Sequence, residues 1–596
     1  MKFKYIYVLL ALVMICYLAP AYAQNKKDTK KAPAKKETKK PAATTTTATD
    51  TTKKSGANKN DQNNPDNLTE QIIVTTAYKP VLADAVKIRI NPDLSDKTPF
   101  KAPLTYITLD KRLERNTDIH QLEAMKMPRE VDSIPSNNYA RIGVGNYKTT
   151  YGEAYIANGQ DSSFQYGVFA RHLAQSSSSI NKQSEIKDQV GVFGRATTAD
   201  NAFLGRINYS RLGTYFYGFD PANPPGAFNP AAQHFSTLSG EGEITKRFTD
   251  ETNEFTYAVK VDGYLWNNAF HANEHNLVVT GFLNETINQF YAGLGASLDL
   301  STQNDSLYSY NNSLLRLNPY LKFQGDFYKI DAGLNLVREF GKFSSPYVFP
   351  AVKAELQVIP KYLRLFADVK GDVEKASLRD FSEENPYIDQ NINIVNTIDK
   401  LDLSIGLKGT IAPGLGFKMD VFHNSVKNLA MFANTTFTNI NNKFSVIYDN
   451  GNSVVTGFNG ELDFKASDDF DLFGRVEFKN YQMATEAEPW NLPKFKLTAG
   501  TVIHITNNLS INATLLYRGS TYDRTYTVPP LLGSLPVQHI VTISGFADLN
   551  GGVEYKLTDR LSIFGQVNNI LNTTNQVWLY YPNYGFNIFG GVGYHF

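Results

Sequence analysis

The last twelve residues, Gly585-Phe-Asn-Ile-Phe-Gly-Gly-Val-Gly-Tyr-His-Phe596, alternate between large apolar side chains and small or polar ones. Successive side chains of an extended strand point to opposite faces, so this stretch would carry an apolar face and a polar face. The apolar face would consist of Phe586, Ile588, Val592, Tyr594 and Phe596. The pattern predicts a β-strand that lies between an apolar and a polar environment.

The same alternation recurs toward the N-terminus, back to about residue 140. Segments of 8–16 residues are separated in turn by short and by long breaks. The long breaks fall at 175–187, 217–234, 302–312, 377–396, 431–442, 484–491, 525–540 and 573–584. A soluble β-sandwich shares the alternation, but its strands usually have about 5–6 residues. Short turns alternating with long loops are typical of a transmembrane antiparallel outer-membrane β-barrel.

The strand count depends on residues 443–467. One long strand there gives 22 strands, whereas a hairpin turn at Asn450-Gly451-Asn452 gives 23, and Asn-Gly is a strong hairpin signal. A barrel with both ends in the periplasm needs an even count. We therefore expect an all-β barrel of about 22 strands over 139–596, with its first and last strands paired.

Composition agrees with a barrel. The 596-residue chain is 42% hydrophobic and 13% aromatic, yet its mean hydropathy is only −0.32. After residue 24 no run approaches the roughly 20 apolar residues of a membrane-spanning helix. The only cysteine, Cys16, lies in the leader, so a mature chain would offer no disulfide and no cysteine nucleophile.

The N-terminal part divides into a leader, a linker and a short segment. Residues 1–23 have the basic start, apolar core and Ala21-Tyr22-Ala23 site of a signal peptide cleaved before Gln24. Residues 24–69 are rich in Lys and Thr and predict a disordered periplasmic linker. The segment 70–138 is short and contains six prolines. Nothing in the chain indicates nucleic-acid binding.

The C-terminal sequence resembles the barrel of TonB-dependent outer-membrane receptors. The similar stretches include Leu509-Ser-Ile-Asn-Ala-Thr-Leu-Leu-Tyr-Arg518, Ala547-Asp-Leu-Asn-Gly-Gly-Val-Glu-Tyr555 and Leu561-Ser-Ile-Phe-Gly-Gln-Val-Asn568. Near the N-terminus, Ile72-Ile73-Val74-Thr75-Thr76-Ala77 resembles the extended stretch that these receptors offer to TonB. The resemblance implies binding or transport of a solute across the outer membrane, with TonB as a partner.

Ile588, Val592, Tyr594 and Phe596 resemble the C-terminal signal that barrel-assembly machinery reads. The chain departs from the family between 78 and 138, which is too short for the family's plug domain. Since a 22-strand lumen is too wide to stand empty, three fillings are open: residues 78–138, a partner protein, or long loops folded inward.

An alternative function is a scaffold barrel for surface or envelope assembly, with a surface or periplasmic partner protein. Enzymatic activity is not expected. His271-Ala-Asn-Glu274-His275 matches a metallopeptidase pattern that requires a helix, but it falls between two strands. We therefore predict no catalytic residues, no metal and no cofactor.

Two aromatic loops are candidate ligand contacts. One carries Tyr215, Tyr217 and Phe219, and the other carries Tyr580 and Tyr581. Aromatic rings can stack on sugars or flat ligands, but aromatic residues at strand ends also form the interfacial girdle of a barrel. The girdle interpretation is favoured.

Overall fold

The computed structural model describes residues 138–158, 163–222, 224, 229–247, 255–287, 290–435, 442–467, 469–527 and 536–596. The predicted leader and linker, the TonB-box-like residues 72–77 and residues 78–137 lie outside these ranges. Within them, no helix combines the length and apolar character needed to cross a bilayer.

In the part of the chain that the structure describes, twenty-two antiparallel strands form one sheet. They are β1 (Tyr139–Gly145), β2 (Thr149–Ala157), β3 (Phe164–Ser176), β4 (Ser184–Thr197), β5 (Asn201–Tyr215), β6 (Ala232–Lys246), β7 (Thr256–Asn268), β8 (Asn273–Ile287), β9 (Phe290–Asp305), β10 (Tyr308–Gln324), β11 (Tyr328–Gly341), β12 (Pro346–Ile359), β13 (Leu363–Glu374), β14 (Thr397–Ala412), β15 (Leu415–Asn434), β16 (Phe444–Ser467), β17 (Phe470–Gln482), β18 (Phe495–Thr506), β19 (Leu509–Arg518), β22 (Phe546–Lys556), β23 (Leu561–Asn568) and β26 (Asn587–His595).

Within the described ranges, four shorter strands and one helix lie in the loops. The strands are β20 (Thr521–Thr527), β21 (Val537–Ile543), β24 (Gln576–Trp578) and β25 (Tyr581–Pro582), and the helix is α1 (Leu378–Glu384). β20 pairs with β21 and β24 pairs with β25, in two-stranded sheets separate from the barrel wall. Tyr522 of β20 also forms an isolated parallel bridge with Trp490.

The sheet closes on itself through its first and last strands. β1 pairs with β26 from Tyr139↔His595 to Gly145↔Phe589, and it pairs with β2 on its other edge. Closure leaves the wall without an open edge, which a strand exposed to lipid could not tolerate. The predicted 22-stranded closed barrel is confirmed.

The alternation predicted for the last strand is present in the fold. Ile588, Val592 and Tyr594 are 46–47% exposed on the outer surface, whereas Asn587 and Phe589 are 2–3% exposed on the inner one. Phe596 follows β26 and is also exposed. An apolar outer surface and a polar inner surface are the arrangement that a lipid environment requires of a barrel.

Residues 444–467 form one strand, as the even count predicted. Asn450 and Gly451 lie opposite Asn428, since the register runs from Lys427↔Asn452 to Leu429↔Asp449. Two residues facing one form a β-bulge, and Asn428 takes a positive φ of 56° there. The bulge absorbs the Asn-Gly pair that would otherwise favour a hairpin.

The long break predicted at 302–312 is wrong. β9 runs to Asp305 and β10 starts at Tyr308, with only Ser306 and Leu307 in the turn. Polar residues such as Gln303, Asn304 and Asn311 suggested a loop, but they continue the strand pairing, for example Gln303↔Tyr310. Gln303 is fully buried on the inner face, whereas Asn304 and Asn311 lie on the outer face, where Asn311 is exposed. Strand pairing therefore continues here although both faces carry polar side chains.

Candidate functional site

The connection between β13 and β14 folds inward over the wall of the barrel. Ser377 caps α1 by accepting a hydrogen bond from the backbone N–H of Asp380. Trp266 donates its indole N–H to Ser382 Oγ at 3.1 Å, and the hydroxyls of Tyr264 and Ser377 are 3.0 Å apart. Tyr264 and Trp266 belong to the inner face of β7, since Leu265 between them is exposed outside.

The carboxylate of Glu274, on the inner face of β8, is the centre of this docking site. Its side chain is fully buried. Oε1 accepts hydrogen bonds from the hydroxyls of Tyr264 and Ser301 and from Gln303 Nε2 at 3.0–3.1 Å. Oε2 accepts from Ser377 Oγ at 3.0 Å and from the backbone N–H of Arg379 at 3.1 Å. One carboxylate therefore joins three barrel strands to the start of α1.

Buried polar contacts also fix both ends of this loop. At its start, Lys375 forms a salt bridge with Asp299 in which both side chains are buried. At its end, Asn396 exchanges hydrogen bonds with Asn312 and donates to Glu339 at 2.8 Å. Removing one partner of a buried pair is costly, so these contacts hold the loop in one position.

The apolar side of the loop packs into a cluster formed by several loops and the inner wall. We call it the mouth cluster. Its buried members are Tyr217, Phe235, Tyr264, Trp266, Ala272, Ala376, Leu378, Phe381, Ile388, Ile392, Ile394, Phe432, Phe444, Val446, Tyr448, Leu516, Ile543, Phe546, Val577, Trp578, Leu579 and Tyr581. Of the three fillings left open by the sequence, inward-folded loops are therefore present at this end of the barrel.

Three tyrosines meet in the mouth cluster. The rings of Tyr387 and Tyr581 stack with centroids 3.6 Å apart, and the ring of Tyr217 meets that of Tyr581 at 70°. The Tyr387 hydroxyl donates to the Tyr217 hydroxyl, which donates to the carbonyl of Pro582 at 3.1 Å. Burial raises the pKa of Tyr217 to about 12, so its hydroxyl stays protonated and can donate.

The fold thus brings together two of the predicted ligand-loop residues, Tyr217 and Tyr581, and adds Tyr387. Both lie inside the mouth cluster instead of on a lipid-facing girdle. Tyr580 is partly buried against the cluster, and Tyr215 lies at the end of β5 with Lys182 Nζ 5.0 Å from its ring centroid. Phe219 is half-buried in the loop after β5. Ligand contact by these residues remains a prediction.

A polar cavity of about 50 Å³ lies beside the three tyrosines. Tyr217 and Tyr387 line it from the loops. The remaining lining is mostly polar side chains of the first and last barrel strands, at the end of the barrel where the long loops lie. Several of these are the asparagines concentrated between 568 and 587. That local density of asparagine was the sequence signal for this cavity, and sequence reasoning missed it.

The histidine-rich motif has a structural role in this fold. His271 lies in the turn between β7 and β8 with a φ of 68°, while Glu274 points into the docking site described above. Among the described residues, no group of three or more His, Cys, Asp or Glu side chains could hold a metal ion. Sequence analysis noted Glu274 only as part of a metallopeptidase-like pattern, which it rejected, and it missed the contribution of Glu274 to loop docking.

Comparison with known proteins supports the barrel assignment. Residues 399–570 match the family model for the TonB dependent receptor-like β-barrel. This part of the barrel is therefore similar to the barrels of that family. This confirms the resemblance inferred from the C-terminal sequence. No curated protein sequence matches the chain.

Solved structures share the fold of the receptor-like barrel. One is the ferripyoverdine receptor of the Pseudomonas aeruginosa outer membrane, with 13% identity, coverage of 78% of this chain and 73% of that chain, and a TM-score of 0.56. Another is the siderophore receptor PirA from Acinetobacter baumannii, with 11% identity, coverage of 78% of this chain and 81% of that chain, and a TM-score of 0.57. A third is the FrpB iron transporter from Neisseria meningitidis, with 11% identity, coverage of 78% of this chain and 82% of that chain, and a TM-score of 0.58. The receptor-like fold and its apolar exterior indicate the bacterial outer membrane.

Proposed function

We propose that this protein is an outer-membrane receptor that binds a solute and passes it through its barrel. The observation that carries the proposal is the mouth cluster. Loops from separate parts of the chain fold onto the inner wall and pack there around Tyr217, Tyr387 and Tyr581. Loops held by discrete polar contacts can release and redock, so the same side chains can seal the barrel and admit a solute.

The matched family supports this function. Its description and the names of structurally similar proteins concern receptors and transporters. The wall supports it as well, because a closed 22-stranded sheet encloses a lumen lined by polar side chains. Energy for uptake would come from TonB, which would pair with residues 72–77 as an added β-strand.

Solute depletion from the growth medium tests the proposal, because it requires no choice of solute in advance. Cells that express the full chain would be compared with cells that express Val74→Pro, since proline removes a backbone donor needed for strand pairing. We expect at least one solute to disappear faster with the unaltered chain. Equal depletion of every solute by the two strains would contradict energised transport.

A direct binding measurement completes the test. The purified full chain should bind the C-terminal domain of TonB, and Val74→Pro should weaken that binding by about tenfold or more, which corresponds to about 1.4 kcal/mol. Lys54→Pro, in the linker, serves as the matched control and should bind normally. Equal binding by both variants and the unaltered chain would show that 72–77 is not the contact.

A further inference from the structure

A row of three polar side chains crosses the outer surface of the barrel near its loop end. Thr150 Oγ1 lies 3.2 Å from Nε2 of His172, and Nδ1 of His172 lies 2.7 Å from Oδ1 of Asp188. Thr150 is exposed, and the side chains of His172 and Asp188 are 46% and 37% exposed. The three residues lie on three consecutive strands, β2, β3 and β4, so no local motif marks them in the sequence.

Strand pairing fixes the positions of the three side chains. His172 pairs directly with Asp188, whereas Thr150 pairs with Ala174 and is therefore the diagonal neighbour of His172. Leu173, between His172 and Ala174, is 1% exposed on the inner face. Because neighbouring side chains of a strand point to opposite faces, His172 points outward. The row thus belongs to the rigid wall and not to a loop.

The row lies at the level of the membrane interface. Thr150 is the second residue of β2, whose nine residues are about the length that crosses a bilayer. The turn before β2 is at the same end as the loop between β13 and β14, since each connection follows an odd-numbered strand. On the outer face of β4, Ile186 on the loop side of Asp188 and Val190 on its other side are 43% and 48% exposed. Acyl chains of the outer leaflet can therefore lie directly beside the row.

The chemistry of the row is that of an activated nucleophile. Ionisable side chains that face lipid are costly and mark functional sites, and exposed ion pairs contribute little to stability. When Asp188 accepts the hydrogen of His172 Nδ1, Nε2 is left to accept the hydroxyl hydrogen of Thr150. A hydroxyl bonded to an imidazole that a carboxylate orients is the arrangement that acyl-transfer enzymes use.

We propose that Thr150, His172 and Asp188 form an esterase site that hydrolyses carboxylic esters of membrane lipids. Thr150 Oγ attacks the ester carbonyl while His172 Nε2 takes the hydroxyl proton. The bond to the lipid alkoxide then breaks, and the alkoxide takes that proton from His172, which leaves an acyl-threonine. Water attacks the acyl-threonine and gives one proton to His172. Release of the fatty acid returns that proton to Thr150 Oγ.

Basic residues lie at both ends of the row. Lys148 is exposed in the turn 146–148, two residues before Thr150, with a φ of 51°. Its flexible side chain can place the ammonium beside the ester carbonyl oxygen, where negative charge develops during attack. Arg211, exposed on β5, pairs directly with Asp188 and offers charge to a lipid phosphate. The substrate is therefore a lipid that carries both an ester and a phosphate.

Release of fatty acid by the purified full chain tests the proposal. The chain is reconstituted into vesicles of phosphatidylglycerol and, separately, into vesicles of neutral lipid ethers that contain lipid A, since both lipids have the required ester and phosphate. We expect release from at least one of them, detected by mass spectrometry, and the productive vesicle identifies the source. Thr150→Val and His172→Gln should each lower the rate by at least about 100-fold. Thr150→Ser keeps the hydroxyl and should retain hydrolysis.

Matched controls change the same residue types elsewhere on the outer face. His275 on β8 pairs directly with Thr302 on β9, and both are exposed. His275→Gln and Thr302→Val should hydrolyse lipid as the unaltered chain does. Heat-modifiable mobility in gels establishes that each variant is a folded barrel. An alkyl fluorophosphonate should bond to Thr150 Oγ with loss of fluoride, and His172→Gln should prevent this labelling.

The outcomes decide the proposal without reference to transport, because the row lies outside the lumen. No fatty acid from either vesicle with the folded, unaltered chain would overturn it. Release that Thr150→Val or His172→Gln leaves unchanged would also overturn it, as would an equal loss in the two control variants. Labelling by the fluorophosphonate at a residue other than Thr150 would show that the nucleophile is not in this row.

Discussion

The carboxylate of Glu274 accepts a hydrogen bond from the backbone N–H of Arg379, with Oε2 and the nitrogen 3.1 Å apart. This contact joins β8 of the barrel wall to the first turn of the loop helix α1. The guanidinium of Arg379 also lies 4.1 Å from the centroid of the Tyr264 ring, on β7. The position of the loop is therefore defined by polar side chains of the inner wall as well as by apolar packing.

Replacement of Glu274 by leucine should release the loop without unfolding the barrel. Hydrogen bonds to a charged group contribute about 1.5–3 kcal/mol each, and Glu274 accepts five of them. We expect added protease to cleave within 375–396 at least about tenfold faster in Glu274→Leu. Thr280→Val, on the same inner face of β8, is the control and should not change cleavage. Equal cleavage in all three proteins would show that the carboxylate does not hold the loop.

The topology predicts which turns antibodies reach on intact cells. The turn at Ser306–Leu307 lies at the end of the barrel that carries the long loops, and Leu307 is 81% exposed. The turn at Asn507–Asn508 lies at the opposite end, between β18 and β19. An epitope tag after Leu307 should be labelled on intact cells, whereas a tag after Asn507 should be labelled only after permeabilisation. Labelling of the Asn507 tag alone on intact cells would show that the barrel is inserted in the opposite orientation.

The wall could be predicted from the sequence because its signal is local. Alternation in 585–596 places Ile588, Val592 and Tyr594 on one face, and the structure exposes all three. The even strand count excluded the hairpin suggested by Asn450-Gly451. The error at 302–312 arose because polar side chains were taken as a loop, although they lie on both faces of a hairpin whose strand pairing continues to Tyr308↔Asp305.

The mouth cluster could not be predicted because its contacts join distant parts of the chain. Tyr217 and Tyr581 are separated by more than half of the sequence, yet their ring centroids are 5.0 Å apart. Both were recognised as loop aromatics, but no local pattern says that they face inward. The polar cavity likewise depends on side chains from both ends of the barrel sequence.

The hairpin of β20 and β21 should dock more firmly in acid. Burial raises the pKa of Asp523 to about 6 from 3.8, although the backbone N–H groups of Asn434 and Arg524 donate to it. Since an acid with a raised pKa favours its protonated form in the folded state, stability is greatest below pH 3.8 and falls as the pH rises to about 6.

Hydrogen exchange at 521–527, corrected for intrinsic rates, measures this dependence. The free energy of opening that protection reports should decrease between pH 4 and pH 7, by at most about 3 kcal/mol, because the raised pKa of Asp523 limits the change. Asp523→Asn keeps an oxygen acceptor and removes the titration, so its protection should not vary over this range. A pH-independent unaltered chain would contradict the role of Asp523.

Phe596→Asp should impair assembly without lowering the stability of the assembled barrel. Phe596 is half-exposed beside β26, and a charge near the membrane interface costs only about 0–1 kcal/mol. We expect unassembled protein in the periplasm, detected by the loss of heat-modifiable mobility. Phe586→Asp, at the other end of the same segment, should assemble normally. Normal assembly of Phe596→Asp would show that the C-terminal signal lies elsewhere.

Single-channel conductance in planar bilayers tests most directly whether the mouth cluster closes the barrel. The comparison uses a chain without residues 78–138 and a second chain that also has 378–395 replaced by a short Gly-Ser linker. Our account predicts low conductance for the first chain, because the loops still seal the mouth, and a large stable conductance for the second. An open pore in the first chain, or no rise in the second folded barrel, would contradict closure by these loops.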